Sequence, residues 1–255
     1  MNTYLEKTKP YLDICIDSIR NLDYPKDKLD VVIVTRKSYM PQYEGVRTIA
    51  PEDKEAFYSP TGINYGFNNA HPDSKFILML NDDTIVTKDS LKNMVNAIGD
   101  QNMILGCLSN CDTDIFHSLI MGFKDQNGHY CQMTDRVYRL EHVEKYIPYL
   151  MNAESIYPQG LIIYDKICLY ANLIPTKLIK LIGGFDEAFK TGFDDTDFCL
   201  RAREANYPSV ILMNAIIWHF GGVSAATTIS DEMRDFNADH FSKKWGSKIT
   251  MMKNK

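Results

Sequence analysis

The sequence predicts an α/β fold, a mostly parallel central sheet flanked by helices, and two observations lead there. Short apolar runs recur at Leu29–Thr35, Lys75–Leu80, Met103–Leu108 and Val210–Trp218, the first of them β-branched and apolar on both faces, as a buried parallel strand requires. Between them lie segments whose apolar residues fall at helical spacing, and strand–helix alternation of this kind builds a sheet with helices on its faces. A length of 255 residues suits one large domain or two small ones. No repeat or low-complexity stretch divides the chain, so one domain over 1–255 is expected.

The elements follow in order. Tyr11, Leu12, Cys15, Ile16 and Ile19 predict an amphipathic helix over 10–21, ended at Asp23-Tyr24-Pro25-Lys26 because proline disfavours helical geometry in the residue before it. Leu29–Thr35 is the first buried strand, a short strand near Gly45–Ile49 follows, and Thr61–His71 reads as a helix. Lys75–Leu80 is a buried strand running straight into Asn81-Asp82-Asp83; Asp89–Ile98 is a helix and Met103–Leu108 a strand. Residues 112–160, with His117, His129, His142 and many tyrosines, read as a variable insertion with short helices, each histidine structural or exposed. Order resumes at Leu161–Ile174, then a helix over Pro175–Ile182, the turn Gly183-Gly184, a helix over Asp197–Ala205 and a strand over Val210–Trp218 that ends at His219. Phe236, Phe241 and Trp245 are expected to pack a C-terminal helix against the core.

Composition excludes several functions. Apolar content of 45% and charged content of 24% are ordinary for a soluble globular chain. A net charge of −5 without a compact Lys/Arg block argues against nucleic-acid binding through phosphate neutralisation. Cys15, Cys107, Cys111, Cys131, Cys168 and Cys199 form no CxxC pair and read as reduced, mostly buried thiols. With no signal peptide and no run of roughly 18 to 20 apolar residues, the expectation is a cytoplasmic protein, peripheral contact with a membrane-bound acceptor left open.

Asp194, Asp195 and Asp197 fall within four positions, after a glycine and beside an aromatic. Like charges this close raise one another's pKa or require a cation or a basic substrate. A helix start accounts for them as well, one capping and the others facing the positive end of the dipole. The second cluster, Asn81-Asp82-Asp83-Thr84, lies at a strand's carboxyl end, where ligands bind in open α/β sheets. A turn-forming Asn-Asp pair is the plainer reading there. Two acidic clusters and a histidine after a third strand suggest a divalent cation with oxygen-rich ligands, Mg²⁺ or Mn²⁺, which commonly neutralises a diphosphate.

Leu78-Met-Leu-Asn-Asp-Asp-Thr84 resembles the DxD region of GT-A glycosyltransferases, particularly those of family 2. Gly183-Gly-Phe-Asp-Glu-Ala-Phe189 and Gly192-Phe-Asp-Asp-Thr-Asp-Phe-Cys-Leu-Arg201 resemble that family's "GGFDE.F … EDxDLCLR" block, and Trp218-His219-Phe-Gly-Gly-Val-Ser224 its closing "H.GG.S". Asn64-Tyr-Gly-Phe67 with Ala70 is similar to the helix before the DxD strand, and Tyr11–Ser18 with Tyr24-Pro25 to the first helix and its turn. The likeness runs in order from residue 3 to about 225, apart from the insertion at 112–160. It implies a GT-A (nucleotide-diphospho-sugar transferase) fold: a nucleotide-sugar half over about 1–111, an acceptor and catalytic half over about 161–225 and a helical tail over 226–255. It implies an inverting, Mn²⁺- or Mg²⁺-dependent glycosyltransferase that takes a nucleotide-diphosphate sugar, a UDP-sugar as the expected donor, and a glycan, lipid-linked or protein-linked acceptor. Residue by residue, Asp83 matches the metal-binding position and His219 a further metal ligand of some members. Asn81 matches the first DxD position and Asp82 its variable middle; both are expected at the donor, with Thr35 and Asn64. Asp195 matches the general base, and Asp194, where the family usually has Glu, an acceptor contact.

Two departures stand out. Met1-Asn2-Thr3-Tyr4 matches only the end of the family's first strand segment, which places Thr3 and Tyr4 at the nucleotide and leaves the central strand itself missing, as if the chain started late. A truncated start, a sheet repaired by another segment and a degenerate non-enzyme are the three explanations. Thr35-Arg36 also stands where an aspartate usually follows the second strand. A carbohydrate- or nucleotide-binding pseudoenzyme is therefore the alternative, with a sugar-1-phosphate nucleotidyltransferase behind it, since residues 1–10 lack the Gly-rich basic loop it needs.

Overall fold

Thr3–Arg20 forms the first helix, α1, of the computed structural model, two turns longer at its start than the apolar spacing predicts. Pro10 lies inside it: without an N–H it forgoes one bond to the preceding turn, but the turn before it still forms. The structure describes residues 3–52, 58–110, 121–124, 130–133, 140, 144, 147–153, 159–164, 167, 169–221, 223 and 230–253, with the side chains of 3–7, 121–124, 130–133, 164 and 247–253 set aside. The remaining elements are β1 (Val31–Val34), β2 (Val46–Ile49), α2 (Ser59–Asn68), β3 (Phe76–Leu80), β4 (Thr84–Val86), α3 (Ser90–Ile98), β5 (Ile104–Leu108), β6 (Met121–Lys124), β7 (Tyr130–Met133), α4 (Ile147–Met151), β8 (Leu161–Tyr164), β9 (Ala171–Pro175), α5 (Thr176–Ile182), α6 (Asp194–Glu204), β10 (Ser209–His219) and α7 (Asp231–Lys253). The predicted histidines His117, His129 and His142, with Cys111 and Cys168, lie outside the described residues.

The α/β architecture is as expected, but the central sheet is mixed rather than mostly parallel. Its order is β3-β9-β5-β10-β4, with β8 also on β10. β3 and β5 both run antiparallel to β9, and β5 runs parallel to β10, so β3, β5 and β10 share one direction, as strand–helix alternation requires. β9, β8 and β4 oppose it. The reversal at β4 arises because it follows β3 after only Asn81-Asp82-Asp83, with no crossover helix between them.

Two apolar layers cover the sheet. On one face Met79, Ile104, Ile174, Ile211 and Trp218 pack with Phe198 and Ala202 of α6 and with Ile63 and Phe67 of α2. On the other, Leu105, Leu173, Val210, Leu212 and Ile217 pack with Leu91, Met94 and Ile98 of α3. The faces alternate along β10 until a bulge between Leu212 and Ile216, beyond which the parity flips: Leu212 and Ile216 fall on opposite layers although both numbers are even.

β1 and β2 form a separate two-stranded parallel ladder. Among the described residues no strand joins β1 to the free edge of β3. All four residues of β1 are only half-buried, although Val31-Val-Ile-Val34 was expected to be a fully buried strand. With one neighbouring strand instead of two, it is covered on one edge alone. Side chains tie the ladder and α2 to the rest: Arg47, which also clasps Asp30 within the ladder, donates to the Asn69 carbonyl at the end of α2 (2.8 Å), Tyr43 bonds Asp13 of α1, and Asn64 of α2 donates to the Phe185 carbonyl (2.9 Å).

Candidate active site

The carboxyl ends of β3, β5 and β10 meet at one place. At the end of β3 the chain reverses through Asn81-Asp82-Asp83, held by Asn81 N–H donating to the Tyr170 carbonyl (2.8 Å) and Thr84 Oγ1 donating to the Asn81 carbonyl (2.8 Å). α1 closes the underside, with Cys15 Sγ 3.5 Å from Thr84 Oγ1 and Ser18 Oγ accepting from the Val86 N–H. Burial pushes the Cys15 thiol up to about 12, so it is an inert packing group here. Asp83 is buried at 5% exposure. Asp82 is exposed by surface area, yet protein crowds its carboxyl, and burial followed by the adjacent Asp83 charge raises its pKa to about 6.

His219 ends β10 beside this turn. The bulge in β10 sets which face it takes, since without the parity change His219 would fall on the opposite layer. Its backbone is bracketed by the Asn110 amide, which accepts from His219 N–H (2.8 Å) and donates to the His219 carbonyl (3.0 Å), while its ring stacks on Tyr170 at 4.7 Å and 10°. His219 Nε2 lies 3.1 Å from Asp83 Oδ1 and 3.2 Å from Asn81 Nδ2. That nitrogen faces an acceptor on one side and a donor on the other, so no tautomer satisfies both. A divalent cation, if bound, would resolve the conflict by taking the imidazole lone pair and the carboxylate together. Neighbouring ligands of an octahedral ion bound at 2.0–2.1 Å stand about 3 Å apart, which fits the Asp83–His219 separation. The carboxylate suits Mg²⁺ or Mn²⁺, and the imidazole a transition ion. Among the described residues no group of three or more His, Cys, Asp or Glu gathers to hold a metal alone, so further ligands would come from substrate or water.

The second cluster opens α6. Asp194, Asp195 and Asp197 all sit in its first turn, where backbone N–H groups and the dipole favour negative charge. Ahead of them the chain takes left-handed conformations at three successive residues, Thr191 (φ 81°), Gly192 (φ 103°) and Phe193 (φ 63°). Non-glycine residues held this way cost on the order of 1–3 kcal/mol each. Asp194 Oδ1 accepts from the Gly192 N–H (2.7 Å), and burial with the neighbouring Asp195 charge raises its pKa to about 6. Asp195 is half-buried and accepts from the Thr196 N–H (2.6 Å). Asp197 is an anchor: fully buried, it accepts from Arg201 Nε, Trp245 Nε1 and Lys244 Nζ, each at 2.8 Å.

The other predicted residues fall in several places. Asn64 lies on α2, and its amide is committed to the Gly183–Glu187 loop: Oδ1 accepts from the Phe185 N–H (2.7 Å), and Nδ2 donates to the Phe185 carbonyl and to Glu187 (2.9 Å each). A Cβ on Gly184 would overlap that amide, so the second glycine of the pair is required by close approach. Thr35 ends the β1 side, Oγ1 donating to the Tyr39 carbonyl (3.0 Å). Thr3 and Tyr4 form the first turn of α1, and their side chains lie outside those described. The structure thus brings Asn81, Asp83 and His219 together and sets Asp194 and Asp195 on α6. Asn110, Tyr170 and Asn237 were not singled out from the sequence; one Asn or Tyr bonding backbone or stacking across the fold carries no local signature.

The pattern of "Glycosyltransferase like family 2" matches residues 5–238. No curated protein matches the chain. Among solved structures, GalNAc-T7 with UDP, GalNAc and Mn²⁺ is similar over 80% of this chain and 40% of its own, at 11% identity and a TM-score of 0.56. The mannosyltransferase PcManGT of Pyrobaculum calidifontis, with GDP-Man and Mn²⁺, is similar over 94% of this chain and 61% of its own, at 15% identity and a TM-score of 0.56. TarS of S. aureus is similar over 84% of this chain and 35% of its own, at 14% identity and a TM-score of 0.52. The chain therefore spans between about a third and three fifths of these structures' lengths, and the likeness at such identities is one of fold. With the family pattern running through nearly all of it, this chain belongs to the glycosyltransferase-like family 2.

Proposed function

We propose that the protein is a metal-dependent inverting glycosyltransferase, moving a sugar from a nucleotide-diphosphate sugar to a hydroxyl of a glycan, lipid-linked or protein-linked acceptor. The observation that carries the reading is the Asp83–His219 pair, 3.1 Å apart beside Asn81 at the carboxyl ends of β3 and β10. A UDP-sugar is the expected donor; UDP and Mn²⁺ in GalNAc-T7, and GDP-Man and Mn²⁺ in PcManGT, support a nucleotide donor and a manganese ion. Asp83 and His219 would hold the cation, whose charge, when bound, offsets the charge growing on the departing nucleoside diphosphate. Asn81 and Asp82 line the same turn and would meet the donor, Asn81 through its exposed amide. Asp195 would act as general base, taking the acceptor hydroxyl proton as that oxygen bonds the anomeric carbon and the carbon–phosphate oxygen bond breaks. Asp194, buried and bonded to the Gly192 N–H, would shape the acceptor side. Among the described residues no helix is long and apolar enough to cross a membrane. The buried free thiols Cys15, Cys107 and Cys199 suit a cytoplasmic location.

Incubation with Mn²⁺, UDP-, GDP- and dTDP-sugars and an acceptor panel tests the reading. Nucleoside diphosphate should be released, and release should fall by about 10³-fold or more in Asp83→Ala and in Asp195→Asn. Tight donor binding without release for any acceptor would favour a binding protein instead. Pyrophosphate formed from a nucleoside triphosphate would overturn the proposal.

A further inference from the structure

One face of α7 is given over to the segment that carries the acidic pair. Asn237, almost fully buried, accepts from the Lys190 N–H (2.9 Å) and donates to the Thr191 carbonyl (2.8 Å), so both ends of its amide are spent on backbone entering the left-handed run. One turn on, the Phe241 ring leans on Phe193 at 5.1 Å, and His240 Nε2 stands 3.3 Å from Asp186. A further turn on, Lys244 bridges Asp186 (2.6 Å) and Asp197 (2.8 Å), and Trp245 Nε1 bonds Asp197. The spacing 237, 240/241, 244/245 is one helical stripe. From the other side α2 adds one tie, the Ser59 N–H donating to Thr191 Oγ1 (3.3 Å). Three successive positive-φ residues, two of them not glycine, would not hold this path unaided.

We infer that α7 is a brace for the acidic pair and that Asn237 is its positioning residue, holding the backbone of Lys190 and Thr191 and with it the left-handed run Thr191–Phe193 that aims Asp194 and Asp195. Asn237 touches no substrate; it acts through Asp195, and in this the inference rests on the base assignment proposed above. The donor turn at Asn81–Asp83 belongs to different elements and stays in place when the brace is loosened.

The test compares wild type with Asn237→Ala, with Phe241→Leu as a milder variant should the first fold poorly and Lys243→Ala, on an exposed face of α7, as control. Backbone hydrogen exchange and steady-state kinetics are both measured. In Asn237→Ala, exchange at residues 190–195 should accelerate while residues 84–86 keep their rates. Turnover should fall roughly 10–100-fold, as misplacement of a reacting group by about an ångström does, with the donor KM within about twofold of wild type. Phe241→Leu should show the same pattern at smaller amplitude, and Lys243→Ala neither change. Unchanged exchange at 190–195, or faster exchange there with full turnover, overturns the inference. A loss confined to donor KM overturns it too. A wild-type protein that releases no nucleoside diphosphate sinks the proposed activity instead, and the exchange measurement alone then decides whether Asn237 holds the loop.

Discussion

Folding places Asp194 under cover beside Asp195, and the cost of that placement depends on pH. An unfolded aspartate loses its proton near 3.9, whereas in the folded chain Asp194 keeps it up to about 6. Between these values the folded state binds more protons than the unfolded one, so the contribution to stability is fully present below about pH 4 and is lost as pH rises to about 6. Asp194→Asn keeps an acceptor for the Gly192 N–H and removes the charge. The variant should therefore be more stable than wild type at about pH 7.5, on the order of 2–3 kcal/mol, with no gain at about pH 4. Urea denaturation at the two pH values checks it; an equal difference at both would reject the burial of this charge. Sequence reasoning reached Asn81, Asp83 and His219 because each stands in a short run of characteristic neighbours. Asn110 and Asn237 escaped it because their partners are backbone atoms 109 and 46–47 residues away, and nothing beside them in the chain marks that use.

At the level of elements, the joint between α2 and the loop after α5 rests on Gly184 and Asn64. Gly184→Ala drives a Cβ into the Asn64 amide and should cost about 1–3 kcal/mol, as overpacking does. In an Asn64→Ala background the same substitution should cost far less, because the obstructing amide is gone. A double-mutant cycle in urea measures the difference, and additive costs would show that the two do not meet. β1, β2, β3, β5 and β10 were legible to within two residues, as short runs bounded by polar turns; the antiparallel pair β6–β7 was not, since residues 112–160 read as an insertion with short helices, and β8 and β9 were not told apart within Leu161–Ile174. β4 was not legible: Thr84-Ile-Val86 is too short to show a period and continues an acidic turn. Strand direction escaped as well, since it depends on which end of the sheet the chain returns to after the 112–160 segment, a tertiary fact with no local pattern.

Across the whole molecule the sheet is divided. The β1–β2 ladder is joined to the rest by α1, α2 and side-chain bonds such as Arg47 to the Asn69 carbonyl and Tyr43–Asp13, with no ladder hydrogen bonds to the six-stranded sheet among the described residues. Its amides should therefore exchange through openings of lower free energy than those of Leu105, Val210 and Leu212, which lie at the centre of the larger sheet. Site-resolved hydrogen exchange checks this, and equal protection would mean that both sheets open as one unit. The opposite arrangement holds at α7, which is fastened to the acidic loop at three successive turns. Because α7 follows in sequence everything that it braces, synthesis makes it last among these elements. On the inference drawn above, the left-handed run at Thr191–Phe193 is made before the helix that holds it, and it gains its ties to Asn237 and Phe241 only when those residues follow.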